Sequence, residues 1–159
     1  MFGRPGVHEL LVPTPVPSLA GVRVSSVAAA EYHSLVLTEA GATLSFGSGD
    51  LGRLGHGDES TQRLPKVIEA LRGTRVTAVA AGSMHSLVLT EARDVYSFGY
   101  GAAGRLGHGA ADQNELRPRR VAAGPACGSQ RWAGVSAGRA HSLVLSDLGS
   151  PRSIQISRP

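Results

Sequence analysis

Aromatic residues are scarce: three Phe, three Tyr and one Trp in a chain of 159. A core must therefore be built from Val, Leu and Ala. There is one cysteine, Cys127, which excludes an internal disulfide scaffold and points to a reducing compartment. Charged residues make up 18%, below the roughly 25% of an average domain. The hydrophobic share of 42% still exceeds what a disordered chain carries. The net charge of +4 comes from arginines scattered mostly singly, unlike a nucleic-acid-binding arm. No run approaches the ~18 apolar residues of a membrane span. Residues 1–10 lack the basic stretch and apolar core of a signal peptide. The expected location is the cytoplasm or nucleus.

Glycine is abundant instead, 21 residues, which favours tight turns over long helices. The glycines do not fall on every third position, so collagen is excluded. They belong to a repeat. HSLVLT stands at 33–38 and again at 85–90, and HSLVLS at 141–146; GRLGHG stands at 52–57 and 104–109. SFGSG at 45–49 and SFGYG at 97–101 keep the same register of 52 residues. The second interval between histidines is 56 residues, and its four extra residues are expected in the loop GPACGSQ at 124–130.

One unit reads as four short strands. VRVSSVAA and RVTAVAAG are the first. In HSLVLT, His33, Leu35 and Leu37 point one way and Ser34, Val36 and Thr38 the other, so both faces are apolar and covered. TLSFG and VYSFG are the third strand. PKVI at 65–68 and PRRV at 118–121 are the fourth, where a leading proline suits a sheet edge. A short helical turn is allowed in ESTQRLPKV and ADQNELRP. Four strands in about 52 residues fit a propeller blade, and the fold class is all-β.

Candidate chemistry is weak throughout. His33, His85 and His141 occupy equivalent repeat positions, which places them too far apart to share one metal ion. They are expected to hydrogen-bond backbone groups within or between blades, with His56 and His108 in turns near the surface. Each of the three is followed by serine, but neighbours on a strand face opposite ways, so no catalytic couple forms. Gly47, Gly49 and Gly52 match a GxGxxG spacing, yet no periodic helix follows and the pattern recurs. Gly47, Gly52 and Gly55, with Gly99, Gly104 and Gly107, are read as structural turn residues. No enzyme, cofactor or metal is expected. For binding, Arg53 and Arg105 suit either a rim contact or internal support of their loops. Arg119 and Arg120, beside Arg117, form a basic edge that suits an acidic partner or plain solvation. Tyr100 and Trp132 suit interface anchors, although packing between blades explains Trp132 equally well.

The stretches AAGSMHSLVLT at 80–90 and VYSFGYGAAGRLGHG at 95–109, with their earlier copies from residue 28, resemble the repeat of the regulator of chromosome condensation (RCC1) family. That resemblance implies a seven-bladed β-propeller, of which this chain holds a part. It divides the chain into an N-terminal extension 1–12, a repeat domain 13–148 and a tail 149–159. The repeat domain holds full repeats 22–68 and 74–121 and a partial repeat 132–148. Residues 13–19 look like the last strand of a preceding blade, and 152–159 have no packing partner. The family's turn glycine at Gly41 is Arg93 in the second unit, a less favourable residue there. Two functional readings follow: a scaffold or protein-interaction module within a larger propeller or multi-chain assembly, and a guanine-nucleotide exchange factor for a Ran-like GTPase. Exchange activity in the family needs a complete propeller and a wedge-like insertion, and no such insertion is visible. Protein partners are expected; membrane insertion and direct nucleic-acid contact are not.

Overall fold

Period-two alternation and β-branched runs dictate short strands, and the computed structural model is all-β; it describes residues 12–109, 113–122, 131–146 and 153–155. The first sheet contains β1 (Val24–Ala29), β2 (His33–Thr38), β3 (Thr43–Gly47) and β4 (Gln62–Val67). The second contains β5 (Val76–Ala81), β6 (His85–Thr90), β7 (Val95–Gly99) and β8 (Glu115–Arg120). The third contains β9 (Trp132–Ala137), β10 (Ser142–Ser146) and β11 (Ser153–Gln155). Every sheet is an antiparallel meander whose spatial order follows the chain. The register repeats, with His33 opposite Gly47 and His85 opposite Gly99.

The three sheets stack as blades. β5 packs on β1 and β2, and β9 packs on β5 and β6. Strand alternation supplies the two faces. Leu35, Leu37, Ile68 and Leu71 of the first blade join Val76, Val88 and Phe98 of the second in one apolar cluster. Leu87, Leu89, Val95 and Val121 of the second join Trp132 and Val144 of the third. All six residues of β6 are consequently buried. A fully buried Leu or Val contributes about 1.5–3 kcal/mol, so the stacking is the main source of stability.

The structure corrects several expectations. Residues 17–19 form a turn of 3₁₀ helix (Pro17–Leu19), not the end of a preceding blade's strand. The described parts of the stretches that allowed a helical turn run into strands, and Pro65 and Pro118 sit inside β4 and β8 rather than at their starts. Both strands are sheet edges, where the missing N–H is harmless. The extra residues of the second interval are divided. Leu44 pairs with Val67 and Tyr96 with Arg120, so the offset grows from 52 to 53 before β8. One insertion therefore precedes β8, and the others lie between β8 and β9. The segment expected to be an unpaired tail supplies β11, with Val144 opposite Ile154.

Gly47 and Gly99 show why glycine ends the third strand. Their φ values are +118° and +108°, and a Cβ on Gly99 would stand 2.6 Å from the Met84 carbonyl oxygen. Gly99→Ala is expected to lower stability by about 2 kcal/mol or more, read as a fall in the urea midpoint. A midpoint within error of wild type would refute the close approach. The Gly41 turn is kept in the second blade by Arg93 itself, which adopts φ +67°.

Candidate functional site: the blade joints and the loop end

The repeated histidine and serine meet across blades. His33 Nε2 lies 2.8 Å from Ser86 Oγ on the second blade, and His85 Nε2 lies 2.8 Å from Ser142 Oγ on the third. Each serine gives its one hydrogen to a carbonyl of the previous blade: Ser86 to Arg53 O and Ser142 to Arg105 O, both at 2.8 Å. The serine oxygen can then only accept from the imidazole, which assigns Nε2–H to both rings and leaves Nδ1 unprotonated. Nδ1 of each ring is buried without a hydrogen-bond partner. At His85 the Gly82 backbone closes that edge, since a Cβ there would come within 2.5 Å of Nδ1. Burial, followed by the charge of Arg53, pushes His33 down to about 3; burial, followed by Arg105, pushes His85 down to about 4. Both rings are thus neutral joint pieces. Their partner is a side-chain hydroxyl of the next blade, not the backbone group expected from sequence.

The same device works inside a blade. Ser45 donates to Leu54 O at 2.7 Å and accepts from His56 Nε2 at 3.0 Å. Ser97 donates to Leu106 O at 2.6 Å and accepts from His108 Nε2 at 3.0 Å. His56 and His108 are half-buried; they pin the GRLGHG loop to the third strand, and burial pushes both below the usual imidazole range. The loop in turn reaches the next blade. Gly57 N–H donates to Leu116 O at 2.8 Å, and a Cβ on Gly55 would stand 2.9 Å from the Phe98 ring. Gly52, Gly55, Gly104 and Gly107 all have positive φ. The loop therefore clamps neighbouring blades, a role beyond the turn that its glycines suggest.

Among the proposed contact residues, three are internal. Arg53 is 3% exposed and Arg105 8%, so of the two roles their spacing allowed they take internal support of the loops and not a rim contact. Arg53 Nε donates to Asp50 O and Arg105 Nε to Ala102 O, each at 2.8 Å. Their guanidinium groups lie over the rings of Tyr32 and Tyr100, at 5.5 and 4.8 Å. Trp132 is 5% exposed within the cluster between the second and third blades, so it is a core residue and not an anchor. Arg119 and Arg120 are exposed but paired, with Glu115 and with Asp94. Tyr100 remains half-buried beneath Arg105.

The sequence reading missed a surface. Meander topology brings the turns before β2, β6 and β10 to the same end as the GRLGHG loops. Ser83 Oγ donates to Glu31 Oε2 at 3.3 Å across the first two blades. Tyr32, beside Glu31, and Arg139, at the position of Glu31 and Ser83 in the third blade, are exposed, and the Tyr32 phenol feels the charge of Arg139. Glu31 is the first influence on that phenol and raises it. The residues preceding the motif histidine, EY, SM and RA in turn, signal this surface because they change while the frame around them does not. The opposite end carries Arg23–Glu39 and Arg75–Glu91 pairs, both at 3.4 Å. Among the described residues there is no group of three His, Cys, Asp or Glu placed to hold a metal ion.

Comparison with known proteins matches this geometry. The sequence model of the regulator of chromosome condensation (RCC1) repeat matches residues 40–89 and 94–145. The chain is 38% identical to human E3 ubiquitin-protein ligase HERC2 over 145 residues, 91% of this chain and 3% of that protein. It is 35% identical to the ultraviolet-B receptor UVR8 of Arabidopsis thaliana over 153 residues, 94% of this chain and 34% of the receptor. The crystal structure of Prp20p from Saccharomyces cerevisiae superposes with a TM-score of 0.71 and 27% identity, over 79% of this chain and 31% of Prp20p. The chain thus spans about a third of UVR8 and Prp20p and far less of HERC2. Repeats matched over most of its length, with blades that superpose on a solved propeller, place this chain in the RCC1 repeat family.

Proposed function

We propose that the chain is a non-catalytic protein-interaction module, an arc of a larger propeller whose loop end recruits a protein partner. One observation carries this reading. The imidazoles of His33, His56, His85 and His108 and the hydroxyls they meet are committed to holding blades and loops, while Glu31, Tyr32, Ser83, Met84 and Arg139 vary on a constant frame. A rigid scaffold with variable loops is the usual arrangement for recognising a partner. The relatives support a binding role, since the Prp20p structure was described together with binding to Gsp1p and histones.

Guanine-nucleotide exchange is the second reading, favoured by that same relative. The test mixes this chain with a Ran-like GTPase carrying a fluorescent GDP analogue and with an array of candidate proteins. We expect no acceleration of nucleotide release. We also expect binding that is weakened at least about tenfold, roughly 1.4 kcal/mol, by reversing Glu31 and Arg139, and unchanged by reversing Arg23 and Arg75. Accelerated release, or binding indifferent to the loop end, would overturn the proposal.

A further inference from the structure

We propose that Arg105 receives an acidic side chain of a protein partner, whose carboxylate fills the place that Asp50 occupies beside Arg53. This rests on reading the loop end as the partner surface, and it names the chemistry of one contact there.

The two glycine loops turn through the same backbone. Asp50–Gly52 and Ala102–Gly104 each form one turn of 3₁₀ helix, with Leu51 at φ +61° and Ala103 at φ +59° inside them. The arginines that follow agree as closely, at φ −59° in both loops. The Cβ of Ala102 therefore stands where that of Asp50 stands. Each arginine gives its Nε–H to the carbonyl of that residue, and support of the loop needs nothing more. The charge is answered differently in the two blades. In the first, Asp50 Oδ2 lies 3.6 Å from Arg53 Nη2 and accepts a hydrogen bond from Ser48 Oγ at 2.7 Å. In the second, Ala102 and Tyr100 replace Asp50 and Ser48. No carboxylate among the described residues pairs with Arg105.

A charge left unanswered inside a protein is costly. Arg105 is 8% exposed, and burial lowers the pKa of its guanidinium, with the Tyr100 phenol as the opposing influence. The Tyr100 ring lies over the guanidinium at 4.8 Å. A guanidinium stacks through its face and donates in its plane, so the ring fixes the group without consuming its remaining N–H donors. Arg105 thus does not reach out to a rim; the partner's carboxylate comes in to it. The first blade shows that this place opens to the surface. There the Asp50 side chain is 71% exposed while it pairs with an Arg53 side chain that is 4% exposed. A carboxylate suits the place in charge and in shape, because its two oxygens match the guanidinium fork. Tyr100, half-buried alongside, gives the apolar flank that keeps water from such a contact.

A displayed library of random peptides, selected on the folded chain, tests this. Enriched peptides are expected to share an Asp or Glu, and to lose at least about tenfold in affinity when it becomes Asn or Gln. Ala102→Asp supplies the missing carboxylate from the chain itself. It is expected to raise the urea midpoint and to weaken the same peptides at least about tenfold, a pairing that damage to the fold would not give. Arg105→Gln keeps an N–H for the Ala102 carbonyl without the charge, and is expected to lose those peptides too. Enriched peptides with no acid in common, no enrichment at all, or a lowered midpoint for Ala102→Asp would overturn the proposal. Binding that survives Ala102→Asp and Arg105→Gln but not the reversal of Glu31 and Arg139 overturns the role of Arg105 and leaves the loop-end reading standing. Binding that survives all four changes overturns both.

Discussion

Ser86→Ala is expected to cost about 2–4 kcal/mol of stability, because it leaves two buried groups without partners. The His33 Nε2–H loses its acceptor, and the Arg53 carbonyl loses its donor. Alanine is close in size, so the loss comes from unmet hydrogen bonds and not from a cavity. Ser34→Ala is the internal control. It sits in the same HSLVLT motif but is half-buried with no side-chain hydrogen bond among the described residues, and it should change stability by less than about 0.5 kcal/mol. Urea denaturation of the three proteins measures both. A double variant, His33→Leu with Ser86→Ala, should lose at least about 1 kcal/mol less than the sum of the single losses, because the two side chains share one bond. Equal effects of Ser86→Ala and Ser34→Ala would show that the joint between blades carries no special energy.

Acidification is expected to unfold the chain. His33 titrates at about 3 and His85 at about 4 in the folded protein, against 6.5 for a free imidazole. Above pH 6.5 the rings are neutral in both states, and the full stability is present. As the pH falls below 6.5 the unfolded chain takes up protons that the folded chain refuses, so stability falls continuously until the folded values are passed. Every pH unit separating the free from the folded value is worth about 1.4 kcal/mol per ring, so the two rings together withdraw on the order of 5–10 kcal/mol. That is comparable to the whole stability of an ordinary domain. The cause is visible in the joint. A protonated ring would place a second N–H on Nδ1, where no acceptor stands. Glutamine donates an N–H without titrating, so the double variant His33→Gln with His85→Gln should lose much less stability than wild type between pH 7 and pH 4. Urea midpoints across that range decide it. Parallel curves for wild type and variant would refute the assignment.

The sequence showed the frame but not the contacts. The alternation of His33, Leu35 and Leu37 against Ser34, Val36 and Thr38 correctly implied a strand covered on both faces, because period two is a local property. The partner of the histidine was hidden for the opposite reason. His33 meets a serine 53 residues away, and only stacking brings the two together. The motif serine faces away from its own neighbouring histidine, and nothing local directs it to the histidine one unit earlier. The repeat left Arg53 and Arg105 open between a rim contact and internal support of their loops. Their burial follows from a tyrosine ring and a backbone carbonyl within reach, neither of which a spacing rule reveals. The strand at Ser153–Gln155 lacks the family's SFG residues altogether. Backbone pairing with β10 makes it a strand, and backbone pairing has no composition.

The serine of each joint is held in the same way at both. Each serine plugs into a socket made entirely by the blade before it, the imidazole on one side and the loop carbonyl on the other. A socket of this kind does not register which blade it holds, only that the next unit arrives in phase. Gaining or losing one whole unit leaves every surviving plug and socket matched, whereas a fraction of a unit mismatches the joint where it falls. The arc can therefore change its copy number by duplication or deletion of entire units without any redesign of its interior.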